Sequence, residues 1–287
     1  MSTEIRIVSS EGAHWYDRHG NPMYEVPNKS KPGEMRPTTL RDARKLDLVP
    51  SVTSVQKIKA RPFLQNWKIS KYLEEALTFP LDGRQPAEVI PEIIERVQAE
   101  LARPMELGSL IHAEIEKHIL LRCRRVGYDP SPDVDPKIIE ALDEWLNIHR
   151  VTCCDVEKSF ASPHGYGGKV DLVCRWGAAQ KLAVVDWKTT DTQPDKPFRF
   201  YDDWCSQLAA YSAGLFKEWD IDGEIDHINV AFSRNEPGRM KTKVWKREEV
   251  IHGLSVFFAE LILWSVDNKY YPKGEDDGRD KDDDQEG

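Results

Sequence analysis

The chain has 287 residues, 40% of them hydrophobic, enough to fill one large domain or a core with an accessory region. Its net charge of −9 excludes a uniformly basic chain, yet residues 275–287 hold eight acids against two bases, so the remainder carries only −3. The most apolar run, Leu254 to Trp264, is too short for a membrane span and contains Glu260.

In chain order, His14 to Val26 carries two aromatic-rich runs on either side of Asp17-Arg18-His19-Gly20-Asn21, a hairpin signal. Lys29 to Pro37 reads as a loop bearing Pro and Lys. Thr38 or Thr39 can cap a short helix through Leu46, and Ser51 or Thr53 can cap the next, which runs toward Ala60. From Arg36 to Lys71 nine bases stand against Asp42 and Asp47, net +7. That stretch suits phosphate contacts, with Lys57, Lys59 and Arg61 as candidates, and it equally suits a solvated helical face. The Ser51 and Thr53 hydroxyls can clamp a terminal phosphate or simply cap their helix.

Met105 to Arg125 reads as a helix with Gly108, His112 and Glu116 at steps of four, hence on one face. A second helix is expected over Pro136 to Arg150, followed by strands near Thr152 to Phe160, Gly167 to Arg175 and Leu182 to Trp187. Folding the last two about Ala178 and Ala179 sets Asp171 opposite Asp186. Side chains alternate along a strand, so Asp186 and Lys188 share a face while Trp187 points away. Two facing carboxylates repel unless a cation lies between them. Mg²⁺ fits that need, since it takes oxygen ligands and keeps waters that can attack a phosphodiester. Lys188 can then orient that water or neutralise charge on the phosphate. The alternative is an exposed ion pair on a surface hairpin.

Phe198-Arg199-Phe200-Tyr201 and Trp204 follow closely, so Arg199, Tyr201 and Trp204 can contact unpaired bases or belong to the core. Tyr201 to Trp219 is a further helix with Gln207 and Tyr211 four apart. Strands near His227 to Arg234 and Lys241 to Trp245, a helix from Arg247 to Asn268 and a disordered acidic tail complete the reading. The class is α/β, with a central mixed sheet flanked by helices.

Gly108-x-x-x-His112-x-x-x-Glu116, Gly168-x-x-Asp171, Asp186-x-Lys188 and Gln207-x-x-x-Tyr211, in that order, resemble the RecB-like branch of the PD-(D/E)XK nuclease superfamily. Pro50 to Ser54, with Trp67, looks like the matching segment of phage-encoded and mitochondrial genome maintenance exonucleases. The resemblance implies a restriction-endonuclease-like core over residues 100–272, an accessory hairpin-plus-helix region over 1–99 and a tail over 273–287. It implies that His112, Asp171, Asp186 and the main-chain carbonyl of Trp187 bind Mg²⁺ or Mn²⁺. Lys188 would be catalytic, with Glu116, Gln207 and Tyr211 beside it. Several relatives of this kind hold an iron–sulfur cluster on one cysteine before the His helix and three near the C-terminus. Here the cysteines are Cys123, Cys153, Cys154, Cys174 and Cys205, so no cluster is expected. Their odd number and spacing suggest reduced thiols in a cytoplasm, bacterial or phage-infected. The expected activity is a DNA exonuclease of recombination, replication or repair, acting on single-stranded or duplex ends, with a recombination or replication protein as a possible partner and no membrane. A structure-specific or restriction-type endonuclease, and a non-catalytic DNA-binding subunit of a larger nuclease, stay open.

Overall fold

The computed structural model describes residues 14–124, 131–216 and 224–272. The acidic tail and the last residues expected for the helices ending at Arg125 and Trp219 lie outside them. The N-terminal part is made of short pieces: β1 (Trp15–Tyr16), β2 (Glu25–Pro27), β3 (Met35–Pro37), α1 (Leu40–Leu46), β4 (Val49–Pro50), α2 (Val52–Gln56) and the longer α3 (Pro62–Thr78).

The hairpin expected around Asp17–Asn21 forms, with Tyr16 bridging Pro22 antiparallel and the Asp17 and Met23 N–H groups donating to the Asn21 and Trp15 carbonyls at 3.0 and 2.8 Å. β1 lies antiparallel to β4, while the Asp17 carboxylate accepts the N–H groups of His19 and Asn21 at 2.9 and 2.8 Å and closes the turn on itself. Lys29 to Pro37 is more than a loop, because Met35–Pro37 pairs antiparallel with Glu25–Pro27. Thr39 caps α1 in a reciprocal box with Asp42. Ser51 caps α2, which stops at Gln56 instead of near Ala60. Pro62 starts α3 and holds Arg61 out of helical geometry, so the two helices cannot fuse.

α4 (Pro86–Arg124) is 39 residues long and begins well before the expected start at Met105. Pro91 and Pro104 lie inside it. A proline forfeits one intrahelical hydrogen bond and kinks a helix without having to end it. The boundary at residue 99 therefore falls within a continuous helix. α3 packs on α4 and is tied to it by Lys71–Glu100 and Arg96–Glu75 ion pairs at 3.1 and 3.6 Å. None of the residues of α3 is buried.

After α5 (Pro136–Ile148), five strands form one sheet in the order β5 (Thr152–Ser162), β6 (Tyr166–Trp176), β7 (Lys181–Thr190), β8 (Ile225–Ser233), β9 (Met240–Val244). β7 and β8 run parallel and the other neighbours antiparallel. The parallel pair requires a crossover, and α6 (Asp202–Leu215) lies on it. The fold is thus mixed α/β with helices on both faces of the sheet. On one face Ile111, Ile115 and Ile119 of α4 repeat at four-residue spacing and pack with Leu142 and Trp145 of α5 against Leu172, Val185 and Trp187. On the other, Leu208 and Ala209 of α6 meet Phe257, Leu261 and Trp264 of α7 (Arg247–Asp267), with Trp15 and Leu48 from the N-terminal part. Each large aliphatic or Phe side chain among them contributes about 1.5–3 kcal/mol on burial. α7 as a whole is long and apolar enough to cross a membrane, although the run Leu254 to Trp264 alone is not. Its inner residues, Phe257 and Leu261 among them, pack into this core.

The Phe160 ring is wedged between two glycines. A Cβ on Gly214 would run into that ring, and one on Gly168 would stand 2.8 Å from Tyr211 and 2.9 Å from Phe160. Gly214→Ala is expected to lose about 1–3 kcal/mol, because overpacking outweighs the better helix propensity of alanine. A chemical-denaturation midpoint equal to or above that of the wild type would show that the ring yields freely.

Candidate active site

The register Leu172 with Val185 carries Asp171 and Asp186 to the same level of neighbouring strands β6 and β7. Trp187 faces the α4/α5 layer and is buried there, while Asp186 and Lys188 share the opposite face, Lys188 Nζ lying 2.8 Å from Asp186 Oδ2. The Asp171 carboxylate accepts the backbone N–H of Trp187 at 2.7 Å. From α4, His112 Nδ1 approaches Asp171 Oδ2 to 3.7 Å. Gly108 makes that approach possible: a Cβ there would stand 2.7 Å from Thr189 Oγ1 on β7. From α6, the Gln207 side-chain carbonyl accepts from Lys188 Nζ at 2.8 Å, and its amide donates to the Tyr211 hydroxyl at 2.6 Å. Residues far apart in the chain, His112, Asp171, Asp186, Lys188, Gln207 and Tyr211, therefore form one cluster.

Burial dominates its electrostatics. It raises the Asp171 carboxyl well above the usual carboxylate range, and the charge of Asp186 raises it further. Asp186 is also raised by burial, opposed by Lys188 and Asn229. Tyr211 is pushed up by burial and by both acids, so its hydroxyl keeps its proton. His112 is driven down to about 4 by burial, with Lys188 and Lys169 adding to the effect. Its imidazole is neutral at pH 7 and has a lone pair to offer.

Three participants lack an evident sequence signal. Asn229, fully buried on β8, donates to Asp186 Oδ2 at 2.7 Å and is itself fixed by Trp245 Nε1 at 2.7 Å. An Asn inside the apolar run Ile228 to Phe232 was the available hint. Lys169 and Glu157 form an ion pair beside the site, and Glu157 holds a left-handed backbone, φ 52°. Glu116 belongs with this pair: its surroundings are set by burial, Glu157 and Lys169, with the carboxyl raised. The group found against the His112 ring is Asp171, while Glu116, one turn further along α4, has Glu157 and Lys169 as its charged neighbours.

The expected DNA contacts separate into two sets. Thr53, Lys57, Arg61, Tyr201 and Trp204 line one cleft of ≈ 580 Å³, to which Lys188 and Gln207 also contribute. Lys59 is drawn off instead to Asp203 at 2.8 Å and lies 4.0 Å from Glu260. Ser51 is buried, its hydroxyl accepting the Ser54 N–H at 3.0 Å and bonding Ser54 Oγ at 2.8 Å, so it is committed to capping. Arg199 lies over the Tyr201 ring at 5.8 Å. Among the described residues no group of three or more His, Cys, Asp or Glu side chains forms a ready metal cage. The Lys188 ammonium and the Trp187 N–H take up carboxylate oxygens that such a cage would use.

No protein-family model matches the chain, and no curated protein does. Among solved structures it is similar to a crystal structure of SSO0001, at 14% identity over 70% of this chain and 86% of that one, with a TM-score of 0.28, a likeness too distant to carry an argument.

Proposed function

We propose that the chain is a Mg²⁺- or Mn²⁺-dependent deoxyribonuclease with a RecB-like PD-(D/E)XK core, acting as an exonuclease in bacterial or phage DNA recombination, replication or repair. The observation that carries this reading is the Lys188 ammonium on Asp186, with Asp171 and the neutral His112 beside it. Two buried carboxylates with raised pKa values form a site whose strain a divalent cation relieves, and their oxygens suit a hard ion. Asp171, Asp186, His112 and the Trp187 carbonyl would hold it. When bound, such an ion polarises the phosphate and lowers the pKa of water.

The chain's own groups do the rest. Lys188 donates toward a phosphate oxygen or the attacking water and stabilises negative charge there. Gln207 restricts the ammonium to one direction through its hydrogen bond, and Tyr211 fixes the Gln207 amide. Asn229 keeps the Asp186 carboxylate aligned.

Incubation of the purified chain with linear and covalently closed circular DNA tests the reading. The linear form is expected to be degraded with Mg²⁺ or Mn²⁺ and spared in EDTA, and Asp186→Ala is expected to abolish cutting while DNA binding persists. Cleavage of the circle would favour an endonuclease using the same residues. No cleavage of any DNA with either ion would leave only the non-catalytic DNA-binding subunit.

A further inference from the structure

The cleft beside Lys188 has walls that hydrolysis itself does not require. Phe63 at the start of α3 and Tyr201 and Trp204 at the start of α6 all line it. Trp204 is held in place by edge contacts with Phe200 and Tyr201, at ring-centroid distances of 5.9 and 5.1 Å. The Lys188 ammonium stands 5.9 Å from the Trp204 ring. One aromatic platform therefore adjoins the group assigned to the scissile phosphate.

Phe63 is 80% exposed. Trp67, one helical turn along α3, is 41% exposed. Phe63 and Leu64 of α3 join Tyr201 and Trp204 in the lining as one apolar patch, of the kind that a ligand covers. Lys57 and Arg61 also line this cleft and bring positive charge toward a phosphate chain, that of Arg61 partly offset by Asp203 in the same wall at 3.3 Å. Its volume of ≈ 580 Å³ falls within the range of about 300–1,000 Å³ typical of small-ligand pockets, which suits a single nucleotide. A base inside a duplex offers only its edges to the grooves, its faces being covered by neighbouring pairs. An aromatic wall can stack only on a base that has left the helix.

Resting on the nuclease reading of the adjoining site, we infer that this cleft takes the unpaired base of the nucleotide next to the scissile phosphate, stacked on Trp204 and covered by Phe63. The substrate at the moment of cutting is then a single-stranded or opened end, and Phe63 and Trp204 are specificity residues supplied from two different helices.

The test uses the full chain carrying Asp186→Ala, so that DNA stays uncut, and measures its affinity for blunt duplexes and for duplexes with single-stranded overhangs. Adding Phe63→Ala or Trp204→Ala is expected to weaken overhang binding about tenfold, the effect of one lost stacking partner, and to leave blunt-duplex binding unchanged. Trp204→Phe keeps a ring and is expected to restore most of the affinity. Because Phe63 is exposed, its removal takes nothing from the core. Equal losses on blunt and overhanging DNA, or no loss on either, would overturn the inference. If the wild type cuts DNA while both substitutions leave binding intact, the cleft assignment alone fails. If binding depends on the cleft but the wild type cuts nothing, the nuclease reading alone fails.

Discussion

Replacing Lys188 with alanine is expected to slow DNA cleavage by about 10²- to 10³-fold, the usual loss on removing one preorganised donor from a developing oxyanion. On the proposed nuclease reading the effect belongs in kcat, because the ammonium would act on charge that appears as the phosphodiester opens. A second consequence follows from the 2.8 Å contact with Asp186. Lys188 is the largest influence holding that carboxyl down against burial, so its loss raises the Asp186 pKa further, while freeing the oxygen it occupies and removing a like charge from beside a cation. The two effects separate experimentally: the pKa rise moves the acid limb of the pH profile of cleavage upward, while the lost donor lowers kcat even at saturating Mg²⁺ or Mn²⁺. Gln207→Leu leaves the charge but removes the acceptor that aims it, and a smaller fall in kcat is expected with DNA affinity unchanged. If Lys188→Ala keeps cleavage within a factor of about two at saturating metal, then Lys188 is only a counter-ion for Asp186 and the donor role is wrong.

Much of this cluster was legible because it lies where local rules apply. β6 and β7 are strands of near-continuous apolar residues joined over Gly177 to Gln180, and strand alternation alone puts Asp186 with Lys188 and turns Trp187 away. Gln207 and Tyr211 show on α6 for the same reason, one helical turn apart. What escaped depends on partners distant in sequence. Asn229 meets Asp186 across a parallel pair separated by 43 residues, and its own strand shows only a polar residue in an apolar run, without pointing to the partner. Lys169 and Glu157 meet across β5 and β6, at a residue whose backbone leaves ordinary strand geometry. The start of α4 was hidden by Pro104, which punctuates the sequence more strongly than it interrupts the helix. α3 buries no residue, so it has no core stripe to reveal it, and its apolar positions gain meaning only beside the cleft.

Asp171→Asn is expected to make the metal-free chain more stable at neutral pH while eliminating cleavage. The folded-state pKa of Asp171 lies well above its ordinary value of 3.8, through burial first and the Asp186 charge second. Between those two values the folded chain binds more protons than the unfolded one, so stability falls as pH rises from about 4 through the raised pKa, and the penalty is complete above it. Asparagine removes the charge and can still accept the Trp187 N–H. The gain is expected to be on the order of 1–3 kcal/mol, by analogy with other buried charges replaced by neutral groups, or roughly 2–4 °C in Tm for each kcal/mol. His112 works in the opposite sense: its pKa of about 4 lies below 6.5, so its contribution is complete above pH 6.5 and fades as pH falls toward 4. Comparing wild type with Asp171→Asn at each pH cancels that background, and the difference should widen from pH 4 upward. A bound cation reverses the order, since binding to the folded state alone adds about 2.7 kcal/mol at a hundredfold excess over Kd. Mg²⁺ is therefore expected to raise the Tm of the wild type and to leave that of Asp171→Asn nearly still. Melting curves in EDTA and in Mg²⁺ decide the matter. A variant that melts below the wild type in EDTA, or a wild type indifferent to both Mg²⁺ and Mn²⁺, would mean that the two acids are not a cation site.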